Sequence, residues 1–434
     1  MKKSIVTEKS VLHGKLIVPG DKSISHRAVI VSALAKGTSR IKNLLKSQDV
    51  INTLKAFKQM GVKTEFKKNL LIVHGRGLYM NKPANKIDCG NSGTTMRLLS
   101  GILAGQNFRS ELVGDRSLSI RPMKRVIEPL RLMGAQIKAR QDNYAPLQIQ
   151  GAKLHSLPSP YKLKVASAQV KSCILLAHLF VKDKIKLIES RKTRDHTERM
   201  LKYFSADIVS NGNSVIFHPG KSLKAKKIEV PSDISSAAFF IVAAIITKNS
   251  NLIIKKVGIN PTRTAIIDVL IKMGAKISIS NKTIINNEPV ADISVFSSEL
   301  KGVTIRGKII PFLIDEIPIL AVAATQAKGR TVIRDAKELR VKETDRIKSM
   351  VFQLKKMGAN IKELEDGIII DGPTELKGAC LKSYGDHRTA MSFAVAGMVA
   401  NARTKITDVG CIDTSFPEFK DLFKKAGAKI QYSK

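Results

Sequence analysis

The stretch LRLMGAQIKAR, residues 130–140, reads as the end of an amphipathic helix, a stop at Gly134 and the start of an alternating strand. The phrase returns as LKAFKQMGVKTEF (54–66), LIKMGAKISI (270–279), LKKMGANIKEL (354–364) and LFKKAGAKIQY (422–432). A degenerate copy, LKYFSADIVS, fills 201–210, with its small residue placed at Ala206. A second landmark precedes each copy, a turn leading into a strongly apolar helix, near Asp21, Gly90, Ser167, Asp233, Asp315 and Asp386. Helices that are apolar nearly all round belong in a core.

The chain is therefore expected to hold six units of roughly 70 residues, each with a buried helix, a surface helix and short strands. Six such units exceed one core, so two lobes of three follow, with the seam near Val230–Pro231. A solenoid is disfavoured, because the unit is longer than the usual repeat of about 20–50 residues.

Composition narrows the function. Basic residues outnumber acidic ones 74 to 36, giving a net charge of +38. The lysines are spread along the chain (Lys67, Lys68, Lys226, Lys227, Lys424, Lys425) and do not cluster into the stripe or tail expected of a nucleic-acid binder. Trp is absent and aromatics are scarce, which argues against base stacking. The four cysteines (Cys89, Cys173, Cys380, Cys411) lie far apart with no C-x-x-C, so neither a zinc site nor a disulfide framework is expected. No apolar run spans a bilayer and no signal-like segment opens the chain, so a cytoplasmic protein without membrane partners is expected.

The chemistry-bearing residues fall in phase with the repeat. A helix N-terminus presents unpaired N–H groups and a positive dipole end, which favour anions. At these starts lie Gly20-Asp21-Lys22-Ser23-Ile24-Ser25-His26-Arg27, Gly90-Asn91-Ser92-Gly93-Thr94-Thr95-Met96-Arg97 and Ser167-Ala168-Gln169. Asp315-Glu316 and Gly385-Asp386-His387-Arg388 occupy two others. Further polar clusters are Gly114 to Pro122 with Arg121, Thr193-Arg194-Asp195-His196, and Arg340 to Arg346 with Lys342 and Glu343. The Gly-rich turn at 90–93 lacks the Lys-Ser/Thr of a P-loop, so nucleotide binding is not supported.

The ordered set PGDKSISHR, GNSGTTMR, RPM, ASAQVKS, TRDHTERML, IDEIPILAVAA, LRVKETDR, GDHRTAMSFAVAG and DTSFPEF resembles the 5-enolpyruvylshikimate-3-phosphate (EPSP) synthase family over essentially the whole chain. SQDVINT, ASAQVKS and TRDHTE are similar to its class II branch. The resemblance implies an α/β (α+β) enolpyruvyl transferase fold with two lobes, each of three βαβαββ units. Residues 21–230 would form the N-terminal lobe, and 1–20 with 231–434 a discontinuous C-terminal lobe, with the active site in the cleft between them. It also implies transfer of the carboxyvinyl group of phosphoenolpyruvate to the 5-hydroxyl of shikimate 3-phosphate, on the route to chorismate and aromatic amino acids. The substrate is already an activated enol phosphate, so no cofactor or metal is expected. The family is commonly monomeric and is the target of glyphosate.

Residue roles carry over by the same resemblance. Lys22, Arg121, Gln169, Thr94 and the Gly93 backbone would hold the phosphate end of phosphoenolpyruvate, and Arg346, Arg388 and His387 its remainder, the two arginines gripping the carboxylate. Ser23 and Arg27 would bind the carboxylate of shikimate 3-phosphate, and Ser167, Ala168, Arg194 and Lys342 its 3-phosphate, with Gln169 against the ring. Asp315 would take the proton of the 5-hydroxyl, Glu343 would pass a proton to and from C3, and Lys22 would stabilise developing charge. Two departures from the enteric-type pattern stand out. Thr414-Ser415-Phe416-Pro417 carries no cation where that branch has a lysine, and Ala168 replaces a serine whose hydroxyl contact Arg194 is expected to replace.

Two other readings use the same fold. A UDP-N-acetylglucosamine enolpyruvyl transferase generally carries a catalytic Cys in the loop that here reads GDRSLSIRP (114–122), which has none. A basic nucleic-acid-binding relative of RNA 3′-phosphate cyclases would need the aromatics and the localised basic stripe that this chain lacks.

Overall fold

A computed structural model of the chain describes residues 3–433. The described residues form six small mixed sheets, and the second, third and fifth repeats follow the order strand, helix, strand, helix, hairpin within one stretch of chain, while the others borrow a strand from elsewhere. In the second repeat these are Ile87–Asp88, Gly93–Ala104, Arg109–Val113, Lys124–Leu132, and the hairpin Gln136–Arg140 with Tyr144–Gln150. The first strand pairs parallel with the second and the hairpin antiparallel, so the first helix is the crossover that covers the sheet.

The first helix of each repeat is the buried one: Lys22–Leu34, Gly93–Ala104, Ala168–His178, Ile234–Ile246, Ile317–Thr325 and His387–Gly397. Their faces are apolar or small nearly all round, which suits close packing of helix on helix. The second helices, such as Lys124–Leu132 and Arg346–Lys356, bury one face only. Their glycine stops take the left-handed conformation, as at Gly134 (φ 101°) and Gly358 (φ 87°). In the degenerate copy the left-handed residue is Ser205 (φ 75°), one position before the expected Ala206. The phrase there aligns as Phe204-Ser205-Ala206 against Met133-Gly134-Ala135, and the missing glycine hides the stop.

The chain divides into two compact units, each with its own core. One comprises Met1–Asp21, Pro231–Ile284 and Pro289–Lys434, and the other Lys22–Val230 and Ile285–Glu288. Neither is built from a plain run of three repeats. In the second unit the parallel first strand of the first repeat is Lys227–Glu229, from the end of that segment, paired with Lys36–Lys42. In the first unit the N-terminal strand Ser4–Thr7 lies between Thr404–Thr407 and Ile430–Ser433. Lys15–Leu16 likewise opens the sheet of Asn251–Gly258. The tip of the hairpin Lys276–Ile285 and Glu288–Phe296 belongs to the second unit, an assignment that the repeat pattern does not announce.

Candidate active site

In the unit that holds residues 22–230, the helix starts bring the expected phosphate-binding residues onto one network. Ser92 caps Gly93–Ala104 by accepting from the Thr95 N–H at 3.1 Å, which leaves Gly93 as the first helical residue. Arg121 donates to the side-chain oxygen of Asn91 at 2.7 Å and to its carbonyl at 3.3 Å, so its guanidinium is held at the Gly-rich turn. The Gln169 amide donates to the Thr94 hydroxyl at 3.0 Å and accepts from Arg97. Gln169, Thr94 and Arg97 are thereby joined, and Arg121 and the Gly93 N–H both donate to the Asn91 carbonyl. Lys22 begins its helix and its Nζ lies 3.1 Å from Oδ2 of Asp49, in the first turn of Gln48–Gln59.

Arg27 is buried and all three guanidinium nitrogens find protein oxygens: Nε to Thr197 at 2.6 Å, Nη1 to the Ser23 carbonyl at 2.9 Å, Nη2 to Ser172 at 2.8 Å. It braces three helices as well as facing the Ser23 turn. Ser167 stands at the N-cap of Ala168–His178, and Arg194 lies half-buried in the loop leading to His196–Tyr203.

In the other unit the expected acid–base and carboxylate-binding residues converge on Arg346. This guanidinium is 2% exposed and donates from Nε to Asp386 at 2.8 Å and from Nη2 to Glu343 at 2.7 Å. Its Nη1 lies 3.5 Å from Asp315. Burial alone would lower its pKa, but the charges of Asp386, Glu343 and Asp315 outweigh burial and hold it above the ordinary arginine value. Arg388 donates to the Asp315 carbonyl at 2.9 Å and lies 3.9 Å from its carboxylate and 3.5 Å from Glu316. His387, buried, opens the helix that Asp386 caps through the Arg388 N–H at 2.8 Å. Lys342 pairs with Glu338 at 3.0 Å and belongs to this unit, whereas Ser167, Ala168 and Arg194 belong to the other.

Several partners had no assigned role in the sequence reading. Asp49, Asn91, Arg97 and Asp386 each stand inside a quoted phrase or one residue from a quoted glycine, which is the signal that could have found them. Arg263 is of another kind. Its buried guanidinium lies 3.1 Å from Asp21 and 3.4 Å from Asp233, and it donates to Ser235 at 2.6 Å, which in turn donates to Glu316 beside Asp315. No local pattern marks Arg263. Among the described residues no cluster of His, Cys, Asp and Glu could hold a metal ion, and no helix is long and apolar enough to cross a membrane.

Carboxylates beside arginines in one unit, and cations near helix starts in the other, suit the binding of polyanionic small molecules by a two-unit, six-repeat fold. The family model for EPSP synthase (3-phosphoshikimate 1-carboxyvinyltransferase) matches residues 6–423. The 3-phosphoshikimate 1-carboxyvinyltransferase of Thermoanaerobacter sp. (strain X514) is 52% identical over 418 residues, covering 96% of this chain and 98% of the relative. That of Petrotoga mobilis is 52% identical over 425 residues, covering 97% and 98%. The solved EPSP synthase of Acinetobacter baumannii superposes with a TM-score of 0.90 at 43% identity, covering the whole of both chains. This chain belongs to the EPSP synthase family. It transfers the carboxyvinyl group of phosphoenolpyruvate to shikimate 3-phosphate, in the shikimate pathway to aromatic amino acids. The UDP-sugar and nucleic-acid readings find no support in these matches.

Proposed function

We propose that Arg346 and Arg388 bind the carboxylate of phosphoenolpyruvate and that Asp315 and Glu343 carry the proton transfers. The observation that supports this is the gathering of both carboxylates on one buried guanidinium. A substrate carboxylate that takes bidentate bonds from Arg346 competes with Asp315 and Glu343 for its Nη groups. The two side chains are then released beside the substrate, Asp315 ionised as the base and Glu343 protonated as the acid, while Asp386 keeps the guanidinium oriented through Nε. Asp315 takes the proton of the 5-hydroxyl as it attacks C2, and Glu343 delivers one to C3. The tetrahedral intermediate expels phosphate as Glu343 takes the C3 proton back.

The phosphate of phosphoenolpyruvate lies against Lys22, Arg121, Gln169 and the Gly93 N–H, with Thr94 fixing the Gln169 amide. His387 supports the carboxylate site from the same helix start as Arg388. Shikimate 3-phosphate binds through Ser23 and Arg27 at its carboxylate, and through Ser167, the Ala168 N–H, Arg194 and Lys342 at its phosphate. These residues are divided between the two units. The chain acts as a monomer in the cytoplasm, without cofactor.

Asp315→Asn and Glu343→Gln keep the hydrogen-bonding shape and remove the base, so turnover falls by roughly 10²-fold or more while shikimate 3-phosphate still binds. Phosphate release from phosphoenolpyruvate, measured with shikimate 3-phosphate and separately with a UDP-sugar or RNA, reports both points. Near wild-type turnover in either variant sinks the assignment of its carboxylate.

A further inference from the structure

One group of buried charges lies outside the machinery described above. Lys171, on Ala168–His178 two residues after Gln169, is 1% exposed, and its Nζ lies 2.7 Å from Glu189 and 2.7 Å from Glu198. Glu189 follows the strand Ile185–Ile188, and Glu198 is in the first turn of His196–Tyr203. The two carboxylates therefore bracket the connection 189–195, and that connection carries Arg194. The Thr193 hydroxyl donates to the other oxygen of Glu189, folding the connection back on its own start one residue before Arg194. Burial alone would lower the Lys171 pKa, yet Glu198 and Glu189 outweigh it, so the ammonium stays charged.

The same two helices carry a second contact, at Ser172 one residue after Lys171 and at Thr197 one residue before Glu198. Ser172 and Thr197 hydroxyls lie 2.6 Å apart, and Arg27 donates to both. That contact joins the helices. The charged one does something more specific, because it reaches both ends of the Arg194 connection from a helix whose start is Ser167-Ala168-Gln169. A lysine and two glutamates with almost no exposure are expensive to bury, and general apolar packing would join two helices at less cost.

We propose that Lys171 is a positioning residue for the 3-phosphate of shikimate 3-phosphate: it fixes the Arg194 guanidinium relative to the Ser167–Gln169 helix start. The proposal rests on the reading of Arg194 as a phosphate ligand. Ala168 supplies no hydroxyl, so the phosphate depends on the arginine, and the arginine depends on its loop. With Lys171 neutralised, Glu189 and Glu198 lose their common partner, and the loop loses the register of its two ends.

A double-mutant cycle on the full enzyme separates this proposal from the reading beneath it. Lys171→Met keeps an unbranched side chain one atom shorter and removes its charge. It raises KM for shikimate 3-phosphate roughly 10-fold, the scale of a lost charge-assisted hydrogen bond. KM for phosphoenolpyruvate and kcat change by about twofold or less, a split that general destabilisation would not produce. Arg194→Ala raises the same KM by at least as much, and adding Lys171→Met to it has no further effect. If Arg194→Ala leaves that KM unchanged, the phosphate reading of Arg194 falls and this role falls with it. If Arg194→Ala weakens binding but Lys171→Met does not, or if the two effects add, the Arg194 reading stands and the positioning role of Lys171 is overturned. Should Lys171→Met fail to fold, Glu198→Gln, which keeps the Lys171–Glu189 pair, takes its place in the cycle with the same two readings.

Discussion

A methyl group at residue 93 would lie 3.1 Å from Nη1 of Arg97 and 3.7 Å from Nη1 of Arg121. The arginine ends that crowd it are themselves held, Arg97 by Gln169 and the Pro122 carbonyl and Arg121 by Asn91. Gly93 lies at a helix start rather than at a positive φ, so alanine is tolerated by the backbone and acts through space alone. Glyphosate is therefore expected to compete with phosphoenolpyruvate in the wild-type enzyme. Gly93→Ala should weaken the inhibitor more than the shorter substrate, at about 1–3 kcal/mol for an overpacked methyl. Inhibition constants for both forms decide it, and an unchanged constant in the variant contradicts the crowding argument. His178 gives a second residue-scale outcome. Burial is the main cause that pushes its pKa down from 6.5 to about 4. The unfolded chain thus binds the proton first, so the stabilisation is complete above pH 6.5 and is lost as pH falls towards 4, up to about 3 kcal/mol in all. Urea midpoints at pH 7 and pH 5 should drop further for the wild type than for His178→Gln; equal drops would contradict this. At this scale the sequence marked the catalytic candidates but not what they touch. Lys22 meets Asp49, and Arg346 meets Asp386, only after the chain has folded.

Five of the six repeats announce their surface helix by a glycine, and the sixth does so by a serine in the same left-handed conformation. A side chain at positive φ costs roughly 1–2 kcal/mol, whereas glycine pays only in unfolded-state entropy. Ser205→Gly should accordingly stabilise the protein by about 1 kcal/mol, visible as a raised denaturation midpoint. A lowered midpoint would mean that the Ser205 side chain contributes more than its strain. The same position shows why the sequence reading slipped there by one residue: it followed small side chains, and the structure follows φ. Apolar helices and glycine stops are local signals, and they were legible. The pairing of Lys227–Glu229 with Lys36–Lys42, and the inclusion of the hairpin tip Ile285–Glu288 in the second unit, are contacts between distant segments, which periodicity does not encode.

For the whole molecule the +38 charge stands beside a specific arrangement of charge, and the two are different things. Surface lysines give a field that draws in anions generally. Of the buried arginines, Arg346 is matched by Asp386, Glu343 and Asp315 and Arg263 by Asp21 and Asp233, whereas Arg27 is held by hydroxyls and a carbonyl. The division of the chain into units was legible from the repeat count, because six copies of a helix-rich motif cannot share one core. The arrangement of the site could be read only through resemblance, since the residues proposed for it are drawn from both units of the chain. The most direct measurement is a crystal structure of the enzyme with shikimate 3-phosphate bound. The account predicts its 3-phosphate against Ser167, the Ala168 N–H and Arg194, its carboxylate against Ser23 and Arg27, and its 5-hydroxyl within hydrogen-bond distance of the Asp315 carboxylate. A 5-hydroxyl remote from Asp315, or a 3-phosphate held by Arg346 and Arg388 instead, would contradict it.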